Sequence, residues 1–250
     1  MGDAAKGLRG NAQRATRRQP AAAAIKVPNL IRTEHLSSGC KDNRQAVLSL
    51  ETIIDAYRRY APMYDKLFGA VLEPGRRALA DAISAAAPQR VLEVGVGTGL
   101  TLDRYPSSCQ VVGIDICEDM LAIARRRAER LQNHRIHLET MDAEAMRFED
   151  AAFDCVAVPY VLSVTPNPRR LVGEIRRVCR KDGLILVLNH FSGSRGWRFL
   201  ESIARFASAR LGFRTEFDLV DNVLNHGWHV ESIKTVNMLG LSKLVTIRNR

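Results

Sequence analysis

Three glycines and two acidic residues form a group that could hold a ligand. One apolar run ends in Glu93, and a second, 110–114, ends in Asp115. The glycines that follow Glu93 at a spacing of two are Gly95, Gly97 and Gly99. Glycine lets a backbone approach a ligand where a Cβ would collide, and an acid placed like Asp115 can accept both hydroxyls of a ribose. The pattern predicts a nucleoside-containing cofactor at the carboxyl ends of adjacent parallel strands.

The glycine spacing indicates which cofactor this is. A dinucleotide site has the pattern G-x-G-x-x-G, with a helix N-terminus aimed at a pyrophosphate, whereas this chain has E-x-G-x-G-x-G. The Glu93 carboxylate would repel a pyrophosphate but suits the cationic amino-acid end of S-adenosylmethionine (SAM). We therefore predict SAM as the cofactor, with a ligand-free strand–helix turn as the alternative.

Further candidate residues follow the other predicted strands. Asp142 is placed to meet the adenine amino group, although it could also cap a helix. Tyr160 follows the fourth strand and would face the methyl donor, unless it is a core aromatic residue. His190 closes the fifth strand, where side chains point near a substrate mouth, although a lone histidine is more often structural. The predicted cofactor-binding residues are Tyr64, Glu93, Gly95, Gly97, Thr98, Gly99, Leu100, Asp115, Ile116, Met120, Asp142, Ala143 and Val158.

Alternating strands and helices must position these residues. An Ala-rich helix is expected over 75–87, and helices separate most of the strands. Strands are expected near 90–94, 110–114, 135–139, 154–158, 184–189, 228–236 and 241–248. The alternation predicts an α/β fold with a doubly wound, mostly parallel, seven-stranded Rossmann-like sheet. Its last two strands would form a hairpin at Leu239-Gly240.

The chain is expected to hold one domain, 43–250, behind a basic extension, 1–42. The extension is rich in Ala, Arg, Gly and Gln without periodicity, which predicts disorder. Residues 43–69 have the pattern of an amphipathic helix that caps the domain or lies in a membrane interface. The arginine-rich, aromatic stretch 195–226 is expected to be a helical insertion before the last two strands, either packed on the sheet or covering the substrate.

The charge balance points to an anionic partner. The chain of 250 residues has a formal net charge of +10, and residues 1–35 carry seven basic residues against two acidic ones. This balance favours nucleic acid or acidic lipid head groups, with a tail that only aids solubility as the alternative. The five cysteines form no C-x-x-C pair, which predicts reduced, buried thiols in the cytoplasm and no metal site. No apolar run approaches the roughly 18 residues that a membrane span needs.

Five segments in a fixed order carry a family resemblance. They are Y-R-R-Y-A-P-M-Y-D-K-L-F-G at 57–69, G-R at 75–76, V-L-E-V-G-V-G-T-G-L at 91–100, Y-V-L-S-V at 160–164 and N-H-F at 189–191. From about residue 50 onward, the chain resembles the bacterial phosphatidylethanolamine N-methyltransferases of the soluble, peripheral type, within the class I SAM-dependent methyltransferases. The quinone-ring C-methyltransferases have a similar Tyr-Asp element before the glycine motif, which keeps a quinone or another small molecule as the alternative acceptor.

The resemblance implies methyl transfer from SAM to the amine of phosphatidylethanolamine and its mono- and dimethyl derivatives, towards phosphatidylcholine. The expected location is cytoplasmic, at the inner face of a membrane that contains anionic lipids, with no nucleic-acid or protein partner. Rival interpretations are an RNA or protein methyltransferase, suggested by the charge, and a membrane-associated SAM-binding protein without catalysis.

An ammonium acceptor must lose a proton before it can attack the sulfonium methyl group. Tyr60, Tyr64 or His190 could take or relay that proton, or hold the lipid phosphate. The face of Tyr160 could stabilise a methylated ammonium by a cation–π contact. The candidate catalytic residues are Tyr60, Tyr64, Tyr160 and His190, and the candidate phosphate ligands are Arg195 and Arg198, which could bind bidentately.

Overall fold

The computed structural model describes residues 54, 55, 58, 65, 69–190, 228–237 and 242–250. Ile54, Asp55, Arg58 and Asp65 are helical. Four parts of the prediction lie outside the described residues: the extension 1–42, the insertion 195–226, the Leu239-Gly240 turn and the rest of the amphipathic segment before Gly69.

The sheet contains seven strands among the described residues. They are β1 (Arg90–Val94), β2 (Gln110–Asp115), β3 (Ile136–Thr140), β4 (Phe153–Pro159), β5 (Cys179–His190), β6 (His229–Val236) and β7 (Ser242–Arg248). Their order is β3-β2-β1-β4-β5-β7-β6. The first five pair in parallel, while β7 is antiparallel to both β5 and β6. The predicted fold class is confirmed, and the strand order reverses between β1 and β4.

Helices cover the sheet and explain why its central strands are apolar. The helices are α1 (Glu73–Ala86), α2 (Glu118–Leu131) and α3 (Pro168–Val178), with a short 3₁₀ turn at Leu102–Arg104. Alternate residues of β4 belong to two different core clusters: Val156 packs with α3, whereas Cys155 packs with α1 and α2. Because both faces of the sheet are buried, its central strands read as continuous hydrophobic runs.

Two elements differ from the predicted boundaries. Helix α1 begins at Glu73, two residues before the predicted start at residue 75. Pro74 is compatible with this start, because the first turn of a helix has no intrahelical partner for a backbone N–H. Strand β5 begins at Cys179, directly after α3, rather than near residue 184. The first part of β5 is exposed and polar, and its Arg180 forms an ion pair with Asp154 at 2.8 Å. Because the strand was predicted from its apolar residues, this polar part was missed.

Four cysteines are buried free thiols, as predicted: Cys109, Cys117, Cys155 and Cys179. Burial raises the pKa of each of these thiols. In the part of the chain that the structure describes, no helix has the length and apolar character to cross a bilayer.

Gly183→Ala should destabilise the protein, because a Cβ there would lie 2.8 Å from the Arg180 carbonyl oxygen and 2.7 Å from Cys179 Sγ. Overpacking of this kind costs about 1–3 kcal/mol. The matched control is Gly173→Ala in α3, where a Cβ meets no atom within 4 Å and helix propensity favours alanine by about 0.5–1 kcal/mol. Urea unfolding measures both variants. A Gly183→Ala protein as stable as wild type would contradict the packing described for β5.

Candidate cofactor and acceptor site

The glycine turn after β1 has the left-handed backbone that its residues predict. Gly95, Gly97 and Gly99 have φ angles of +70°, +55° and +78°. The Gly95 N–H donates to the Ile114 carbonyl oxygen at 2.8 Å, which ties the turn to the end of β2. A Cβ on Gly95 would lie 2.2 Å from Val161 Cγ2. Glycine is therefore required at this position by both backbone angle and space.

A cleft opens beside this turn, at the carboxyl ends of β1, β2 and β4. This is where the strand order reverses, the place at which open α/β sheets bind ligands. The predicted residues that line the cleft are Gly95, Gly97, Asp115, Ile116, Met120, Asp142, Ala143 and Tyr160. The sequence did not single out the other lining residues, which include Cys117, Met141, Glu144 and Thr165.

Asp115 is held in place by backbone amides. Its Oδ2 accepts a hydrogen bond from the Gly97 N–H at 2.8 Å, and its Oδ1 accepts one from the Cys117 N–H at 2.9 Å. Burial raises the pKa of Asp115, while these backbone hydrogen bonds oppose the rise. Each carboxylate oxygen can accept a second hydrogen bond, so Asp115 retains the capacity to bind ribose hydroxyls.

Asp142 and Glu144 shape the opposite side of the cleft. Asp142 Oδ1 accepts from the Glu144 N–H at 2.8 Å, which closes a turn between β3 and β4. The alternative that Asp142 caps a helix is wrong, since no helix starts in the turn that it closes. Glu144 Oε1 accepts from Thr165 Oγ1 at 2.5 Å and from the Asn167 N–H at 2.6 Å. Glu144 therefore joins this turn to the segment before α3.

Glu93 lies behind the glycine turn rather than in the lining of the cleft. Its Oε1 accepts from Thr101 Oγ1 at 2.8 Å, and its Oε2 accepts from the Tyr105 hydroxyl at 2.7 Å. Burial raises the pKa of Glu93 to about 7, against the effect of both hydrogen bonds and of the nearby Arg76 cation. Each carboxylate oxygen can accept a further hydrogen bond, so the approach of Glu93 to the amino-acid end of SAM stays a prediction. Both oxygens hold the 3₁₀ turn.

Four other predicted cofactor residues are not in the cleft lining: Thr98, Gly99, Leu100 and Val158. Thr98 Oγ1 donates to Asp65 Oδ1 at 2.6 Å, and Arg127 Nη2 lies 2.6 Å from Asp65 Oδ2. Asp65 therefore connects the segment before α1 to both the glycine turn and α2. Val158 is fully buried in the core on the α3 side of the sheet.

Tyr160 and His190 come together beside the cleft, as strands β4 and β5 end next to each other. Their ring centroids are 4.9 Å apart with a 32° tilt. Tyr160 lines the cleft and also packs against the core cluster of α1 and α2. That it faces the methyl donor stays a prediction. Its φ of +61° is unusual for a bulky residue and indicates local backbone strain. Burial raises the pKa of its hydroxyl.

Asn237 and Ser242 complete this group, although the sequence did not point to them. Asn237 Nδ2 lies 3.0 Å from the Tyr160 hydroxyl and 2.7 Å from Ser242 Oγ, and Ser242 Oγ lies 2.8 Å from His190 Nδ1. Asn237 directly follows β6, and Ser242 begins β7. A polar residue beside a predicted turn was the one available signal, and it does not reveal a contact with distant strands.

The remaining candidates lie outside the described residues: Tyr60, Tyr64, Arg195 and Arg198.

Comparisons with known proteins find methyltransferases. The family described as "Methyltransferase domain" matches residues 92–187. A phosphatidylethanolamine N-methyltransferase of Cereibacter sphaeroides is 40% identical over 173 residues, which cover 68% of this chain and 84% of that protein. A demethylmenaquinone methyltransferase of Thermus thermophilus is 36% identical over 140 residues, covering 53% of this chain and 63% of that protein.

A solved structure from Thermotoga maritima, a SAM-dependent methyltransferase described as a possible histamine N-methyltransferase, has the same fold. The TM-score is 0.61 at 20% identity, covering 79% of this chain and all of that one (100%). The chain belongs to the class I SAM-dependent methyltransferases, and SAM is its cofactor. The described cleft fits this cofactor, because Asp115 keeps lone pairs for a ribose while Ile116 and Met120 provide apolar surface for a purine.

Glu93→Gln should change how stability depends on pH. The pKa of Glu93 is about 7 in the folded protein, above its ordinary value of 4.5, so the folded protein holds a proton that the unfolded chain releases between these values. The free energy of unfolding of wild type therefore falls as pH rises through this window. Relative to wild type, Glu93→Gln should gain about 2 to 3 kcal/mol between pH 5 and pH 8.

Urea titrations at several pH values measure this difference. Glu118→Gln is the control, because Glu118 is exposed and its pKa is lowered by Arg125, so its removal should give no gain with rising pH. A stability difference for Glu93→Gln that does not vary with pH would contradict a buried, destabilised charge at this position.

Asp115→Ala should weaken SAM binding about tenfold or more, since hydrogen bonds to a charged group are worth roughly 1.5–3 kcal/mol each. Asp119→Ala is the matched control: Asp119 lies on the first turn of α2, is exposed, and pairs with Arg58 at 3.0 Å. Isothermal titration calorimetry with SAM measures both variants. Equal affinities for wild type and Asp115→Ala would remove Asp115 from the cofactor site.

Proposed function

We propose that this protein transfers methyl groups from SAM to the head-group amine of phosphatidylethanolamine and its mono- and dimethyl derivatives, forming phosphatidylcholine at a membrane surface. The observation that carries the choice of acceptor is the 40% identity to a phosphatidylethanolamine N-methyltransferase over 84% of that protein's length. The described site is compatible with an amine, because the ring of Tyr160 lines the cleft and His190 lies 4.9 Å from it.

The reaction places few chemical demands on the protein. The amine nitrogen attacks the sulfonium methyl carbon with its lone pair, the new C–N bond forms as the C–S bond breaks, and the sulfur keeps the electron pair of that bond. Since the donor is already activated, alignment of the reactants supplies most of the catalysis, and effective molarities can account for roughly 7–11 kcal/mol. An aromatic face beside the nitrogen would stabilise the methylated cation by about 0.5–2 kcal/mol.

Charge supports a membrane surface as the place of reaction. The chain carries a formal net charge of +10, with seven basic residues in 1–35. Basic segments near an anionic leaflet gain about 1 kcal/mol per Lys or Arg. We therefore propose attachment to one face of an anionic membrane, the cytoplasmic face, where the lipid amine and SAM can meet.

A quinone ring is the second candidate acceptor. It is favoured by the 36% identity to a demethylmenaquinone methyltransferase, which extends over 63% of that protein. A quinone acceptor is methylated at carbon and brings no cationic amine to the Tyr160 ring, so the two acceptors differ in what the site must stabilise.

Vesicles of phosphatidylethanolamine with an anionic lipid should become labelled when the full chain is supplied with SAM that carries a radioactive methyl group. Thin-layer chromatography would show label in the mono-, di- and trimethylated phospholipids. The control is Asp115→Ala, which should label more slowly at low SAM concentration and recover as SAM is raised.

A second reaction would contain demethylated quinone extract under reducing conditions in place of the vesicles. Label in the quinone and none in phospholipid would overturn the proposal in favour of the second candidate. Label in neither, from a protein that binds SAM, would exclude both acceptors.

A further inference from the structure

We propose that two copies of this protein associate through the open edge of β3, with their β3 strands paired antiparallel about a two-fold axis at His137. The occupant of this edge is therefore a second copy of the chain. The inference concerns association alone and does not depend on which acceptor is methylated.

Strand β3 lies at one edge of the sheet and pairs with β2 alone. It contains no proline, and its ladder with β2 shows no bulge. Such features block strand edges in many proteins, because a regular edge is a template for a further strand. The β3 edge is regular in the part of the chain that the structure describes, so it is suited to strand addition.

Alternate residues of β3 direct their backbone groups towards the open edge. The Arg135 carbonyl oxygen accepts from an N–H of β2 at 2.9 Å, and the Met141 N–H donates to a carbonyl oxygen of β2 at 3.0 Å. Because the groups that bond to one neighbour belong to alternate residues, the backbone groups of Ile136 and Leu138 point away from β2. The Ile136 N–H donates to the Asn133 carbonyl oxygen at 3.3 Å, whereas the Leu138 N–H and carbonyl have no hydrogen-bond partner among the described residues.

The exposed face of β3 carries charges of both signs. Arg135, His137 and Glu139 alternate along the strand and are all exposed. The Arg135 Nη1 lies 3.5 Å from the Ser108 carbonyl oxygen, at the surface. The Glu139 side chain forms no hydrogen bond or ion pair within the part of the chain that the structure describes. Both charges are therefore available to a partner.

The charge pattern of β3 is complementary to itself. A two-fold interface brings one surface patch against its own copy, so each residue before the axis must suit the residue equally far after it. With the axis at His137, Arg135 of each copy lies opposite Glu139 of the other, and two ion pairs form. Opposite charges directly across a strand pair are stabilising, so this symmetry favours a second copy over other extended segments.

The apolar face of β3 follows the same symmetry. Ile136 and Leu138 are half-buried and pack against the core cluster of α1 and α2. With the axis at His137, Ile136 of one copy lies opposite Leu138 of the other. Because these two residues have outward backbone groups, the Leu138 N–H of each copy can donate to the Ile136 carbonyl oxygen of the other. Both α2 helices then lie on the same side of the joined sheet, next to the groove between α2 and β3.

Neighbouring registers lose the charge match. An axis at Leu138 would place Arg135 opposite Met141, and an axis at Ile136 would place Arg135 opposite His137. Arg135 would face no carboxylate across the strand pair in either register. The axis at His137 is therefore the one that uses both the backbone groups and the charges of the edge.

The antiparallel pairing also determines where the two cofactor clefts lie. Each cleft is at the carboxyl ends of the parallel strands of its own copy. Since the two β3 strands run in opposite directions, the clefts lie at opposite ends of the joined sheet. Association should therefore leave the affinity for SAM unchanged.

Sedimentation velocity of the full chain, without lipid, tests the association. Wild type at pH 8 and about 0.15 M salt should change from monomer to dimer as its concentration rises. Arg135→Glu and, separately, Glu139→Arg should each raise the Kd of the dimer about tenfold or more, because each puts like charges opposite one another twice. A wild type that stays monomeric up to its solubility limit would overturn the proposal, as would a dimer that neither variant weakens.

The matched control is Lys181→Glu. It changes the net charge by the same amount as Arg135→Glu, but Lys181 is an exposed residue in the first part of β5, and β2, β1 and β4 separate that strand from β3. Lys181→Glu should keep the wild-type Kd. An equal loss of association in Lys181→Glu and Arg135→Glu would show an effect of net charge and would overturn the role of the β3 edge.

Mixing the two single variants tests the register. The edge of Arg135→Glu carries two acidic residues and the edge of Glu139→Arg two basic ones, so a mixture should form a heterodimer at concentrations where neither variant forms a dimer alone. The double variant, Arg135→Glu with Glu139→Arg, should regain the wild-type Kd. Calorimetry with SAM should give the wild-type affinity for each single variant, which shows that both are folded. Folded variants that do not associate when mixed would overturn the proposed pairing.

Discussion

The hydrogen bond between the Asp115 carboxylate and the Gly97 amide joins the two segments on which the cofactor cleft depends. The glycine turn leaves β1 with left-handed backbone angles, and Asp115 ends the neighbouring strand β2. Because the strands are parallel, their carboxyl ends meet at one edge of the sheet, where a side chain of one strand can reach the loop of the next. The rest of the cleft is arranged around this pair, with Asp142 and Glu144 on one side and Tyr160 on the other.

Two acids near this edge have different surroundings: Glu93 is buried, whereas Asp115 is partly exposed. Asp115 accepts from backbone amides and lines the cleft, whereas Glu93 accepts from two side-chain hydroxyls and lies behind the turn. Burial raises the pKa of both carboxyl groups. Backbone amides cannot be exchanged by mutation, while Thr101 and Tyr105 can, so the position of Asp115 is the better protected of the two.

The parts of the structure that local pattern determines were predictable from the sequence. Strands β1, β2 and β4 follow from apolar runs, and the glycine turn follows from residues with special backbone angles. The hydrogen-bond partners of Glu93 were not predictable, because residues on both faces of a buried strand look alike in sequence. Its neighbour Val91 packs on the side of α1 and α2, and the alternation of a strand puts Glu93 on that same side, next to Tyr105. Only the assembled layers show this.

The group around Tyr160 was less predictable, for a different reason. Gly75 and Asn237 are separated by 162 positions in the chain, and their contact exists only because β6 and β7 close the sheet next to β5. No sequence pattern around Gly75 or Asn237 predicts that the two residues are in contact. Tyr160 and His190 could be singled out because each follows a strand end, but which groups would hold them could not.

The left-handed conformation of Tyr160 also limits how this protein could be made more robust. A glycine at position 160 would relieve the backbone strain that a bulky residue bears at a φ of +61°. It would also delete the ring that lines the cleft and the hydroxyl that Asn237 holds. A selection for thermal resistance alone would therefore favour changes at this position that a selection for turnover would reject. Proteins commonly show this conflict where strain and function share one residue.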